Sequence, residues 1–473
     1  PLPAARMRIA CASLWLCLVV SAVQAQSSPD ALTDQIHWSF TGPTSVTVVW
    51  RGLASLVTYG TERDNLPFAV FATPSTPLPD GAGPFREARI IGLESGTHYY
   101  YRVGAGDVHE FETPLPRGSS GFWFAQEADV GSSRTYPQVL TTQQQIAADE
   151  AAVPGDDRPE FVLLNGDLTY GDQGNVADVD QHFNDVMVWS EDAAYLPAWG
   201  NHDWDPAGSL KGDQVNNYKG RVQFPNPRRS PGTGTACVAN DTVPGEDWYW
   251  FDYGNVRFIA LPPASEGACG YAGARVAWRA AADSLMDQVD GDPLIRFVVT
   301  YGHFPPYSSG ADHSGDAAIA SDLGTLRSQH PKYVLHLSAH SHHYERFDPA
   351  QTGGLLHVLS GGGGSVLGGL ASAPLPATVV RYGHTHHLKI RVSADRIEGY
   401  AVCGPERPEE SSSCVPGALI DQWAIVSAIT TDVPPTAMPP AVRAGWYDVL
   451  GRRVQPGTPG AYFRPGKPRL IVR

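Results

Sequence analysis

Five short blocks of this 473-residue chain carry side chains able to hold metal ions. They are Ala128-Asp129-Val130-Gly131, Gly166-Asp167-Leu168-Thr169-Tyr170, Gly200-Asn201-His202-Asp203, Gly302-His303 and Ala339-His340-Ser341-His342. Together they offer carboxylate, amide, imidazole and phenolate donors, a set suited to hard or borderline divalent and trivalent cations. One carboxylate shared by two such ions would hold them ~3.5–4 Å apart, the geometry that clamps both oxygens of an in-line phosphoryl displacement. A lone Gly-Asp is usually a turn, and a lone buried histidine is usually a satisfied core residue. Five such blocks in one chain point to a site.

Four of the blocks follow directly on apolar, strand-like runs, and the Asn201 block follows the short run 196–199. Each therefore falls in a loop at a strand end. Apolar runs over 122–125, 161–164, 297–300 and 333–337 alternate with helical patterns over 138–152 and 277–289. This alternation predicts an α/β layered domain over 120–405, with polar residues just past its strand ends. Residues 30–116 differ. Short alternating runs at 35–40, 45–50, 86–91 and 98–103, separated by Gly42-Pro43 and Ser95-Gly96, predict an all-β sandwich ahead of the α/β domain. The stretch 206–247, rich in Gly, Pro and Asn, reads as a surface excursion. A linker is expected over 406–440, ending in the Pro-rich run 433–440, and a short β tail over 441–473.

The formal net charge is -15. An acidic chain lacks the basic footprint of a nucleic-acid binder, so none is expected as a primary role. An anionic substrate would have to be attracted by local cations. Arg8, the apolar run 9–20 and Val23-Gln24-Ala25 read as a secretory leader over 1–25, with residues 1–6 preceding Met7. This predicts a secreted or cell-surface protein with no integral membrane span. Cys11 and Cys17 would leave with the leader. Cys237, Cys269, Cys403 and Cys414 remain, an even number that allows two disulfides in three connectivities. Sequence neighbours are the expected partners, Cys237 with Cys269 and Cys403 with Cys414. A zinc site is disfavoured by the lack of C-x-x-C spacing.

The order and spacing of the five blocks resemble the metallophosphoesterase superfamily. Tyr170 in Gly-Asp-x-x-Tyr, with His340-x-His342-x-Tyr344-Glu345-Arg346, narrows the resemblance to the purple acid phosphatases, over about residues 35–402. The stretch 93–103, with Tyr99, Tyr100 and Tyr101, is similar to the tyrosine-corner region of a fibronectin type III domain. The resemblance implies a first metal on Asp129, Asp167, Tyr170 and His342, and a second on Asp167, Asn201, His303 and His340, bridged by Asp167. The phenolate suits Fe(III) at the first site, and the less charged second set suits Fe(II), Zn(II) or Mn(II). It further implies hydrolysis of a small phosphate monoester by metal-activated water, with His202 protonating the leaving group and His313 contacting substrate. Ala128 and Ala339 depart from the family's usual glycines beside the ligands.

Other features are read as structural. Gly361–Gly364 lacks a phosphate-loop lysine and is expected to be a tight loop. His384, His386 and His387 are expected at packing or surface positions, Arg346 and Glu345 in a structural ion pair, and Asp203 bracing the Asn201 loop. Two other functions fit the same residues: phosphodiester or nucleotide pyrophosphate hydrolysis on the same metals, or a surface binding or adhesion protein that keeps the fold. The tail from Trp446 resembles the C-terminal sorting domains of the bacterial type IX pathway, which implies secretion machinery as a partner.

Overall fold

Alternating apolar and polar residues along 34–112 build two antiparallel sheets. The computed structural model describes residues 33–151, 159–171, 175–203, 215–230, 245–263 and 271–427, with four short strands beyond them. One sheet has the order β1 (Asp34–Gly42), β2 (Ser45–Arg51), β6 (Phe85–Ile91), β5 (Thr73–Pro74). The other runs β4 (Phe68–Phe71), β3 (Leu56–Gly60), β7 (His98–Val103), β8 (His109–Glu112). Trp38, Val48, Val57, Tyr101 and Phe111 are buried between them. Tyr99 Oη accepts the Glu94 N–H at 3.0 Å, five residues upstream, which is the bond that defines a tyrosine corner.

The α/β domain layers two mixed sheets. The first has the order β11 (Ala194–Ala198), β10 (Pro159–Asn165), β9 (Phe122–Glu127), β19 (His386–Val392), β20 (Arg396–Cys403), β21 (Leu419–Val426). The second runs β12 (Trp250–Tyr253), β13 (Val256–Ala260), β14 (Phe297–Tyr301), β15 (Tyr333–Ser338), β17 (Leu356–Ser360), β16 (Tyr344–Phe347), β18 (Thr378–Tyr382). Strands β9, β10 and β11 are parallel, as are β13, β14, β15 and β17. Parallel strands covered on both faces read as unbroken apolar runs, which is how Phe161–Leu164 and Phe297–Val299 read. Aromatic rings fill the space between the sheets: Phe124 stacks on Phe161 at 5.1 Å and meets Phe258 edge-on at 5.3 Å. Helices α1 (Gln138–Ala151), α2 (Val176–Asp185) and α3 (Met187–Ser190) accompany the first sheet, and α4 (Val215–Lys219) follows β11. Helices α5 (Tyr271–Asp290) and α6 (Ala317–Gln329) accompany the second, α6 starting where Asp316 caps the amides of Ala318 and Ile319. All five chemical blocks follow the carboxyl ends of parallel strands: β9, β10, β11, β14 and β15. Open α/β sheets place their sites there.

Two expectations are corrected. The first half of the linker at 406–440 is part of the domain. β20 would otherwise leave an open edge, and β21 pairs along it. Asp421 on β21 takes a bond from Tyr344 Oη at 2.7 Å and an ion pair from Arg346 at 2.6 Å, and the Cys403–Cys414 disulfide closes the intervening loop. Arg346 and Glu345 are therefore not partners. Neighbours on a strand face opposite ways, and Glu345 turns inward to His343, 3.0 Å away. Beyond residue 427, β22 (Trp446–Asp448), β23 (Arg453–Val454), β24 (Ala461–Phe463) and β25 (Ile471–Val472) pair antiparallel in the order β23-β22-β24-β25. The leader, Cys237 and Cys269 lie outside the described residues. Among those described, no helix is long and apolar enough to cross a membrane.

Candidate metal centre

Backbone bonds stitch the five loops together in part. The amides of Asp129, Val130 and Gly131 donate to the carbonyls of Gly166, Asp167 and Leu168 at 3.0–3.1 Å, and Ala339 N donates to His303 O at 2.8 Å. Side chains of the site join the stitching. Asp129 Oδ2 accepts the His340 amide at 3.0 Å, and Asp167 Oδ1 accepts the His202 amide at 2.9 Å. The backbone bends sharply to allow this. Asp129, Asp167, Tyr170 and His340 all have positive φ, between 51° and 70°. Left-handed backbone is uncommon for such residues and tends to collect at functional sites. Gly200 leaves room for the turn, since a Cβ there would lie 2.1 Å from Asp167 Oδ1.

The donors converge. Ligand atoms of Asp167, His303 and His340 lie within 4.8 Å of one another, and so do those of Asp129, Asp167 and His342. Asp167 belongs to both groups. Tyr170 Oη sits 3.3 Å from Asp129 Oδ1 and 3.0 Å from His342 Nε2. Asn201 Oδ1 is 3.0 Å from His303 Nε2. The structure thus brings together all seven residues proposed as ligands. Ala128 and Ala339 are fully buried beside them.

The protons show whether this set fits cations. His303 Nδ1 donates to Asn165 O at 2.8 Å, which in the neutral ring leaves Nε2 as a lone pair. That nitrogen faces two acceptors, Asp167 Oδ2 at 3.2 Å and Asn201 Oδ1 at 3.0 Å, with His340 Nδ1 also 3.2 Å away. His342 is oriented in the same way, its Nδ1 on Val366 O, with Nε2 3.3 Å from Asp129 Oδ1. Electron pairs held this close need a proton or a cation among them. The titration follows from the same crowding. Burial alone would lower His303, but the adjoining Asp167 carboxylate outweighs it and raises the ring to about 9. Burial, together with the charge on His303, lowers His340 to about 2, so its lone pair stays free. Burial, then the Asp129 and Asp167 carboxylates, push the Tyr170 phenol well above its ordinary value. A cation bound to those carboxylates reverses that balance, so the donor set fits a pair of metal ions.

His202 and His313 flank the donors without joining them. The His202 side chain is 34% exposed, with Nε2 3.9 Å from Asp167 Oδ2 and its ring 4.6 Å from that of Tyr170. The half-buried His313 ring lies 4.0 Å from His340 and 6.2 Å from His342. Asp203 accepts the amides of Gly200 at 2.9 Å and Leu168 at 3.0 Å, bracing the Asn201 loop. Burial, then the Asp167 charge, raise Asp203 to about 7.

Residues 361–366 are the part of the site that the sequence reading passed over. The glycine run is a tight loop, but one pressed against a ligand: a Cβ on Gly361 would come within 2.6 Å of Asp129 Oδ2. Ser365 Oγ then donates to Tyr170 Oη at 3.2 Å, and Val366 orients His342. Four consecutive glycines were the available signal. His384, His386 and His387 are all buried, His384 with its Nε2 3.1 Å from Glu410.

The comparisons with known proteins agree with this geometry. A family model described as calcineurin-like phosphoesterase matches residues 103–344, just over half of the chain. A second, described as the N-terminal domain of purple acid phosphatase, matches residues 33–120. Purple acid phosphatase 23 of Arabidopsis thaliana is 25% identical over 399 residues, covering 70% of this chain and 79% of that protein. Purple acid phosphatase 1 of Ipomoea batatas is 26% identical over 264 residues, covering 54% of this chain and 50% of that protein. The structure of purple acid phosphatase PPD1 from yellow lupin (Lupinus luteus) seeds superposes with a TM-score of 0.61 at 18% identity, covering 86% of this chain and 78% of that one. PhoD superposes with a TM-score of 0.54 at 9% identity, covering 83% of this chain and 90% of that one.

Proposed function

We propose that this chain, which belongs to the calcineurin-like phosphoesterase family, is an exported two-metal phosphatase that hydrolyses phosphate monoesters in the manner of the purple acid phosphatases. The observation that carries the reading is the convergence of two groups of metal-ligating side chains that share Asp167. Asp129, Asp167, Tyr170 and His342 would hold the first ion, with Fe(III) suited to the phenolate. Asp167, Asn201, His303 and His340 would hold a divalent ion, Fe(II), Zn(II) or Mn(II). When bound, such a pair supplies water of lowered pKa and positive charge across the phosphoryl oxygens.

The chain's own residues supply the rest. His202, partly exposed and anchored through its backbone to Asp167, donates a proton to the leaving oxygen. His313 lies beside His340 and contacts the phosphoryl group. The fully buried Asp203 keeps the turn that presents both Asn201 and His202. The N-terminal leader directs export, and the sandwich domain is a scaffold for the α/β domain.

Metal analysis with a visible spectrum, followed by turnover of monoesters against diesters, tests the reading. Two metals, a coloured ferric protein and faster monoester turnover are expected, and faster diester turnover would overturn the monoester assignment. Tyr170→Phe should abolish the visible band while the protein stays folded; an unchanged band would remove Tyr170 from the ligands. General acid catalysis is worth ~10²–10⁴-fold, and less for good leaving groups. His202→Ala should therefore keep both metals but lose far more rate on alkyl phosphates than on nitrophenyl phosphate. Equal losses would reduce His202 to a phosphate contact.

A further inference from the structure

Behind the ligand loop His340–His342 lies a second histidine system that no step above uses. Glu345 is fully buried on β16. Its carboxylate accepts from the Ser309 amide at 2.7 Å, from His343 Nε2 at 3.0 Å, and from the hydroxyls of Ser309 and Thr378. A carboxylate with four donors holds the His343 proton on Nε2, so in the neutral ring Nδ1 is an acceptor. It faces Ser341 Oγ at 3.1 Å. Ser308 Oγ comes next, 3.0 Å from Ser341 Oγ and 2.8 Å from the carbonyl of His313. Gly310 N donates to the same Ser308 hydroxyl at 3.0 Å.

Serine, histidine and glutamate in series have the appearance of a nucleophilic triad. The packing argues against that role. Ser341 is 2% exposed, and the Gly310 backbone lies so close above it that a Cβ there would fall 2.1 Å from its Oγ. No carbonyl carbon could approach. The network instead runs from a core strand to the loop that carries His313.

We infer that Glu345 and His343 are positioning residues: through Ser341 and Ser308 they form a buried hydrogen-bonded strut that holds the 308–313 loop, and with it His313, against the metal centre. The consequence for phosphate binding rests on the phosphoesterase reading; the consequence for the loop does not. The links from Glu345 to Ser308 are buried bonds, the one from His343 to Glu345 being to a charged group, and losing one leaves its partner unsatisfied.

The test uses the full chain loaded with metal. Hydrogen–deuterium exchange of the 308–314 amides should accelerate about tenfold or more in His343→Leu and Glu345→Gln, as expected when a buried charged bond is lost. Amides of α6 should be unchanged. Ser341→Ala, a smaller change, should show the same local effect by about threefold, which keeps the test available if the larger variants do not fold. Inorganic phosphate affinity should fall about tenfold in His343→Leu, and adding His313→Ala should cost less than about twofold more, because both changes act through one group. Unchanged exchange in the loop would overturn the strut. So would losses that multiply in the double variant, or labelling of Ser341 by a fluorophosphonate. Wild-type protein that turns over no phosphoester would sink the functional reading alone, since the exchange result stands independently.

Discussion

Two buried, highly charged regions of this protein differ in how their protons are placed. At the junction of the sandwich and α/β domains, Arg221 is 1% exposed. It donates to Asp180 at 2.7 Å and to Gln35, and lies over the rings of Phe85 at 4.3 Å and Phe183 at 5.1 Å. Arg51 then links Asp180, at 3.1 Å, to Asp34, at 2.7 Å. Cation and anion alternate, and each carboxylate receives N–H donors. At the metal centre Asp167 Oδ2, Asn201 Oδ1 and a ring nitrogen of His340 instead crowd one nitrogen of His303, at 3.0–3.2 Å. Burial and charge are common to both regions. What separates a structural junction from a site is whether donors and acceptors cancel within the protein.

The largest expected effect is at the shared carboxylate. Loss of an outer-sphere partner typically costs ~10–100-fold, so Asp167→Asn, which weakens both sets at once, should exceed about 10²-fold in turnover. Elemental analysis should show both metals reduced, whereas Asn201→Ala should chiefly empty the second site; two metals retained in Asp167→Asn would break the bridging assignment. Arg221→Met should act the other way. Removing one member of a buried ion pair costs about 3–5 kcal/mol, seen as a lower urea midpoint, while the folded fraction keeps its full metal content. Loss of metal there would erase the distinction between the two regions.

The smallest effect concerns Glu191, at the same domain junction, whose carbonyl accepts from Tyr101 Oη at 2.7 Å. Burial, then Asp192 and Asp107, raise its carboxyl from 4.5 to about 8. Because the folded state holds this proton more tightly than the unfolded chain, its contribution is full below about pH 4.5 and is lost as pH rises through about 8. The wild-type melting temperature should fall across that window by a few degrees, and Glu191→Gln should flatten the fall. Parallel pH profiles would show that Glu191 ionises normally.

The β-sandwich and the α/β layers were legible because each rests on local patterning, period-two alternation in one and apolar runs with helical segments in the other. The ligand blocks were legible because each is contiguous. Long-range partners were not. Arg346 was read with its neighbour Glu345, yet it pairs with Asp421, seventy-five residues away in sequence. The region after Cys403 was read as linker because its alternation is weak, and only the open edge of β20 makes Leu419–Val426 a strand.

The sequence by itself determined which donors this protein owns and that each stands at the end of a strand, because residue type and local periodicity are properties of short segments. Only the tertiary structure decided that Asp167 faces both histidine groups, that Gly361 cradles Asp129, and that Glu345 turns inward to His343. Those depend on which strands lie side by side and which way each side chain leaves its strand. Sheet order and facing are set by burial over the whole domain, and no short segment carries them.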